Sequence, residues 1–221
     1  KMPLKQSAFN FDFIPEENWR NYLKNLGYYS LLLPQSTLTD TEKVVLRNAI
    51  LAEADKQVNV LENSPYRQPL NTFAWGSNSD ILDLAIIFAQ AYQISNDTKY
   101  LNAAIETTDY IFGKNATAYS FVTGFGSKKV MNPHQRLSAA DGIEEPLPGW
   151  VSGGPNKYMQ DRKSERNPGG IEYLSEEPAR AFMDLAGSYA SNEIAINWNG
   201  PLVYMTGFLE SVSKDLQLVK E

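Results

Sequence analysis

The run ILDLAIIFAQAY, residues 81–92, decides the fold class. Eleven to twelve residues is a helix-length segment, and only Asp83 and Gln90 within it are strongly polar. A helix apolar on nearly every side must be covered on several sides. Asn78 or Ser79 stands where an N-cap is expected.

The neighbours of this run have a different pattern. Upstream, Thr39 is followed three residues later by Glu42, a capping-box spacing. From there Leu46, Ile50, Ala54, Val58 and Leu61 line one face, while Lys43, Arg47, Glu53 and Lys56 lie elsewhere. Downstream, Asn96 or Asp97 caps an amphipathic segment over 100–112 that stops at Gly113. An inner-type helix flanked by outer-type helices implies layered helical hairpins around an inner ring, an α/α barrel or part of one. Further out, Pro15 opens a helix expected over 16–33, with Trp19, Tyr22, Leu23, Leu26 and Tyr29 at helical spacing, and Pro34 stops it. Two more helices are expected near the end: a short one over 178–185, and one capped by Asn199 with Pro201 in its first turn, running to about Leu216. Little sheet is expected, because β-branched runs are short.

Residues 113–178 differ in kind. They hold nine of the 14 glycines and six of the 12 prolines. Loops of this length are functional or disordered, and Tyr119, Phe121, Phe125, Trp150, Tyr158 and Tyr173 argue for order. Within this segment His134, the single histidine, follows Pro133 and precedes Arg136 by two residues. Such a pair offers a planar set of donors and a ring with one donor, suited to sugar hydroxyls, or is a plain surface pair. Glu193 stands beside Asn192 in an apolar stretch, where the ionised carboxyl is disfavoured. That suits a general acid; a residue complementing a helix dipole or pairing with a cation is the alternative. Trp150, in the run WVSGGPN, either stacks on a sugar ring or plugs its loop into the core. Asp80 and Asp83 at the start of an apolar helix are read as complements to its dipole.

Composition narrows the function. The chain has 221 residues, 43% hydrophobic, with net charge −6. It is therefore a folding sequence, without the basic stripe a nucleic-acid partner needs. No apolar run approaches membrane-span length. The lack of cysteine excludes disulfides and Cys-ligated zinc. The opening KMPLKQSAFNFDF has no signal-peptide core and reads as a continuation of something longer.

Taken together, these stretches resemble the C-terminal half of the catalytic domain of glycoside hydrolase family 9, the cellulase family with an (α/α)6 barrel. One motif runs from Ser120 to Arg136, with Gly126, Lys128, Pro133, His134 and Arg136 in register. A second runs from Phe182 to Asn199, with Asp184, Tyr189, Glu193, Ala195 and Asn199 in place, and Gly200 departing from the usual last residue. Trp75-Gly-Ser-Asn78, Ser138-Ala-Ala-Asp-Gly142 and Gly153-Gly-Pro-Asn156 add support.

The resemblance is strong over 75–209 and weak over 14–74. It implies an all-α fold, about half of an (α/α)6 barrel with long functional loops, over residues 1–221. It implies inverting hydrolysis of β-1,4-glucans. Glu193 matches the general acid, His134 and Arg136 match sugar-binding residues, and Tyr189 matches a cleft aromatic. Trp150 is a further substrate-contact candidate, and Asp184 is read as structural. The family's base lies in an Asp-Ala-Gly-Asp motif that this chain lacks, so the N-terminal half of the barrel is the expected partner, along with a β-glucan substrate. No cofactor is implied; calcium occurs in some members, but no ligand set is recognisable here. A secreted, periplasmic or cell-surface location follows from the family. The competing reading is a non-catalytic carbohydrate-binding module.

Overall fold

The computed structural model describes residues 19–215. The expected helix start at Pro15 lies outside them. Helix α1 spans Trp19–Ser30. It ends before Leu33, where the Ser30 hydroxyl donates to the Leu26 carbonyl and the backbone passes into turns.

Helix α2 spans Asp40–Glu62 and starts with the expected capping box. The Glu42 carboxylate accepts from Thr39 N at 2.8 Å, and Glu42 N donates back to Thr39 Oγ1 at 3.3 Å. Leu46, Ile50, Ala54 and Leu61 are buried as expected. Glu53, expected off the apolar face, is buried too. Gln57 Nε2 donates to it at 2.6 Å and Lys56 Nζ at 3.4 Å, which supplies the partners a buried carboxylate requires.

Helix α3 spans Ser77–Ser95 and is packed against α2 and two further helices, α4 (Thr98–Ile111) and the terminal helix described below. Its residues 81–89 are all buried, as an all-round apolar helix must be. The start differs from the expectation. Neither Asn78 nor Ser79 caps it; the turn is made by Gly76 at φ 88°. A Cβ there would lie 2.9 Å from the indole of Trp198, so glycine is required on both counts. At the other end Asn96 closes α3 in the left-handed region, while Asp97 caps α4 by accepting from Lys99 N at 3.0 Å. The two candidate caps thus serve two different helix ends.

Three short elements follow: α5 (Arg136–Ala140), a 3-10 turn at Pro178–Arg180, and α6 (Tyr189–Asn192). The helix expected over 178–185 is reduced to that turn. Its backbone groups are taken elsewhere: Ala181 O accepts from Asn156 N, and Met183 N donates to Ser191 Oγ. Helix α7 spans Ile196–Asp215. It begins before Asn199, whose side chain is not a cap. Asn199 Oδ1 accepts from Val151 N at 3.0 Å and its Nδ2 donates to Ala195 O at 2.8 Å. Pro201 therefore falls inside α7, costing one helical hydrogen bond near its start.

Among the described residues there are only isolated bridges and no strands. Ser120 bridges Lys129, Val122 bridges Val151, Ser152 bridges Ile194, and Glu193 bridges His134. Each of these four segments pairs with two of the others, so they close into a small ring. Asn78 ties the ring to the start of α3, through Asn78 N to Gly153 O at 3.0 Å and Asn78 Nδ2 to Ser152 O at 2.9 Å. Phe121 N donates to Ile111 O at the end of α4, and Asn199 ties the ring to α7. The long loops are thus ordered by anchorage to helix ends.

Candidate active site

The ring brings the two sequence motifs into contact. Glu193 follows α6 with extended backbone and pairs with His134 in a parallel bridge, His134 N donating to Asn192 O at 2.8 Å. Bridged residues sit opposite one another about 4.8 Å apart, with side chains on a common face. His134 Nδ1 lies 2.6 Å from Ala186 O. A carbonyl only accepts, so Nδ1 carries the proton, which leaves Nε2 to accept from a ligand hydroxyl.

Asp184 holds this arrangement. Its Oδ2 accepts from Met131 N at 2.9 Å, and its Oδ1 accepts from Asn132 N at 2.8 Å and from Asn192 Nδ2 at 3.1 Å. The carboxylate therefore joins the loop before His134 to the helix before Glu193, in agreement with a structural reading.

An aromatic wall stands beside them. Tyr189, the first residue of α6, lies between Trp75 at 5.5 Å and His134 at 6.2 Å between ring centroids. Trp75 is exposed and free to present a ring face. It was not singled out as a contact residue from sequence; the only signal was its place in the run Trp75-Gly-Ser-Asn78, where Gly76 turns the chain into α3. Arg136 opens α5, exposed and without an ion pair among the described residues. Trp150 is placed elsewhere: it lines an apolar groove with Ile194, Ile196 and Val203 rather than joining the Trp75–Tyr189–His134 wall.

The glycines of the GGPN run have a definite task. Gly154 has φ 91°, and a Cβ there would lie 2.4 Å from the Asn78 side chain. Gly153 passes under Trp198, with the same hypothetical atom 3.1 Å from its ring. The close approach allows Gly153 N to donate to Glu193 O at 2.9 Å and Gly154 N to donate to Ser191 O at 2.8 Å.

Asp80 stands in the first turn of α3, as expected of a dipole complement, and Asp83 follows on the next turn. Asp83 is 8% exposed. Burial pushes the Asp80 carboxyl up to about 8, and burial together with the neighbouring Asp80 charge raises Asp83 well above the ordinary carboxylate range. Among the described residues no group of three or more His, Asp or Glu side chains converges to hold a metal ion.

The helical layer and its loops thus bring Glu193 to His134 next to the Trp75–Tyr189 pair. The chain belongs to glycosyl hydrolase family 9, whose profile matches residues 5–206. It is 35% identical over 196 residues to a xyloglucan-specific endo-β-1,4-glucanase of Bacteroides ovatus, covering 85% of this chain and 32% of the relative. To a cellodextrinase of Butyrivibrio fibrisolvens it is 39% identical over 189 residues, covering 84% of this chain and 33% of the relative. In three dimensions it resembles a family 9 protein of Bacteroides ovatus (TM-score 0.74, 33% identity, 89% of this chain and 34% of the other). It also resembles a thermostable endoglucanase variant of Alicyclobacillus acidocaldarius (TM-score 0.76, 31% identity, 93% and 39%). The chain thus spans about a third of the length of the curated relatives it matches.

Proposed function

We propose that this chain supplies the general acid and part of the sugar-binding wall of an inverting β-1,4-glucan hydrolase, and that the remaining, N-terminal part of the catalytic domain supplies the base. The observation that carries the reading is the Glu193–His134 bridge beside the Trp75–Tyr189 pair. This supports the reading of Glu193 as a proton donor next to a hydrogen-bonding ring and a stacking surface.

In this reading Glu193 gives its proton to the glycosidic oxygen as the C–O bond breaks. The base, a carboxylate roughly 6.5–9.5 Å away, takes a proton from the water that attacks the opposite face of the ring. His134 accepts from a sugar hydroxyl at Nε2, Arg136 donates, and the rings of Tyr189 and Trp75 cover the apolar face of a glucose unit. The reaction needs no cofactor.

Two observations support a base from outside this chain. Two loop-region aspartates are already committed: Asp184 to Met131 N and Asn132 N, and the buried Asp161 to three donors. Helices α1 and α7 also carry exposed apolar residues among the described residues. Leu23 and Leu26 of α1 are exposed, and Ile196 and Val203 of α7 are 95% and 70% exposed. These faces, with the Trp150 groove, fit the rest of a helical barrel. A secreted or cell-surface location accords with a polymeric glucan substrate.

The test is hydrolysis of barley β-glucan by the chain alone and with the remainder of the catalytic domain. Activity is expected only in the combination, with the α-anomer released first. In the combination Glu193→Gln should lower kcat by about 10²–10⁴-fold. Full activity of the chain alone would refute the divided site. Near-normal activity of the Glu193 variant would remove it from the acid role. Oligosaccharide binding without hydrolysis in the combination would favour the binding-module reading.

A further inference from the structure

Asp161 is only 2% exposed. Its Oδ1 accepts from the Tyr173 hydroxyl at 2.7 Å. Its Oδ2 accepts from Ser188 Oγ at 3.0 Å and from Ala190 N at 2.9 Å. It makes no ion pair among the described residues. Three donors and no cation hold the carboxylate in one orientation.

Those donors surround the start of α6. A four-residue helix cannot hold itself, because nucleation costs more than one turn returns. Ser188 occupies the N-cap position but makes no side-chain cap bond. Asp161 provides the missing cap from 29 residues earlier in the chain. Three carbonyls of this turn are also held from outside. Ala190 O accepts from Asn156 Nδ2 at 2.7 Å, Ser191 O from Gly154 N at 2.8 Å, and Asn192 O from His134 N at 2.8 Å.

Tyr189 is the first residue of α6 and Glu193 its C-cap. Any roll or slip of this turn displaces both at once. Asp161 caps its leading edge, with the Tyr173 hydroxyl also 3.3 Å from Ser188 Oγ, and Ser188, linked to Ser191 Oγ at 2.8 Å, passes the restraint into the turn.

We propose that Asp161 is a positioning residue: it caps α6 in trans and thereby sets the placement of the Tyr189 ring and the Glu193 carboxyl. The inference rests on the acid role proposed for Glu193. It requires an acceptor at Asp161, not a charge. In Asp161→Asn the amide oxygen accepts from Ser188 and Ala190 while its NH2 donates to the Tyr173 oxygen, which accepts as readily as it donates. Asp161→Ala leaves Ala190 N and the buried Ser188 hydroxyl without that partner.

Two readouts test this. The first is amide exchange on this chain, resolved for residues 189–193 and for α3. The second is kcat and KM of the combined catalytic domain on a soluble cello-oligosaccharide, at a temperature where circular dichroism shows each variant folded. Asp161→Ala should raise exchange at 189–193 at least tenfold and leave α3 within twofold. It should lower kcat about 10–100-fold, the scale of a misplacement near 1 Å. Asp161→Asn should stay within threefold of the parent in both readouts. A folded Asp161→Ala with parental exchange and kcat overturns the proposal, as does an Asp161→Asn as impaired as the alanine variant. If Asp161→Ala does not fold, Asp161→Glu displaces the acceptor by one methylene; a folded glutamate variant with parental kcat also overturns it. If the parent combination fails to hydrolyse glucan, the acid reading of Glu193 falls, and amide exchange still decides whether Asp161 holds α6.

Discussion

Replacing Asp80 by Asn should stabilise this chain at high pH and leave it unchanged at low pH. Asp80 lies in the first turn of α3, where burial moves its carboxyl from 3.8 to about 8. The unfolded chain has lost this proton once the pH is well above 4, whereas the folded chain keeps it until about 8. The folded state therefore binds more protons across that window, and its stability falls as pH rises through it. Each unit of difference is worth about 1.4 kcal/mol, so the full shift corresponds to about 6 kcal/mol. Asp80 retains some solvent contact, which reduces this to about 2–4 kcal/mol. Asp83 on the next turn is shifted in the same direction, and Tyr29 and Glu53 lie within the same electrostatic environment. The difference between variant and parent removes the contributions of distant carboxylates and reports Asp80 together with its charge coupling to Asp83. Urea denaturation of both proteins at pH 4 and pH 8.5 should give nearly equal stabilities at pH 4 and a variant advantage of about 2–4 kcal/mol at pH 8.5. A variant advantage that is equal at both pH values, or a destabilised variant at pH 8.5, would refute the burial argument.

Two further substitutions probe the framework of the site. Gly154→Ala would drive a Cβ to 2.4 Å from the Asn78 side chain at a φ of 91°, so it should cost about 2–4 kcal/mol. A thermal midpoint within about 2 °C of the parent would contradict the packing. Asp184→Ala removes the acceptor shared by Met131 N, Asn132 N and Asn192 Nδ2, at a cost of about 2–3 kcal/mol. Because His134 is the only histidine, its ring resonances report on the adjoining loop directly; ring signals identical to the parent's would show that Asp184 does not hold it.

The helices were legible in sequence where their determinants are local. The Thr39–Glu42 box is made within one turn of chain, and it starts α2 as written. The run 81–92 has so little polar surface that only a surrounded helix accommodates it, and α3 is that helix. The motifs around His134 and Glu193 were legible as family patterns. Their mutual placement was not, because a bridge between residues 134 and 193 has no local trace.

The mistaken helix starts share one cause. Asn78, Asn199 and the 178–185 segment have the residues of helix starts, yet their polar groups bond to Ser152, Val151 and Asn156 far away in the chain. A polar side chain at a helix end satisfies whichever buried donor or acceptor is nearest, and packing decides which one that is. Asp161 shows the same competition from the other side. Its sequence neighbours identify nothing, while the fold makes it the cap of a one-turn helix 29 residues away. Periodicity and capping patterns thus specified the helical layer, and the resemblance to the family implied the residue types of the site. The ring of loop segments that sets Glu193 beside His134, and Trp75 beside Tyr189, arose from long-range hydrogen bonds and glycine-permitted close approaches that no local pattern encodes.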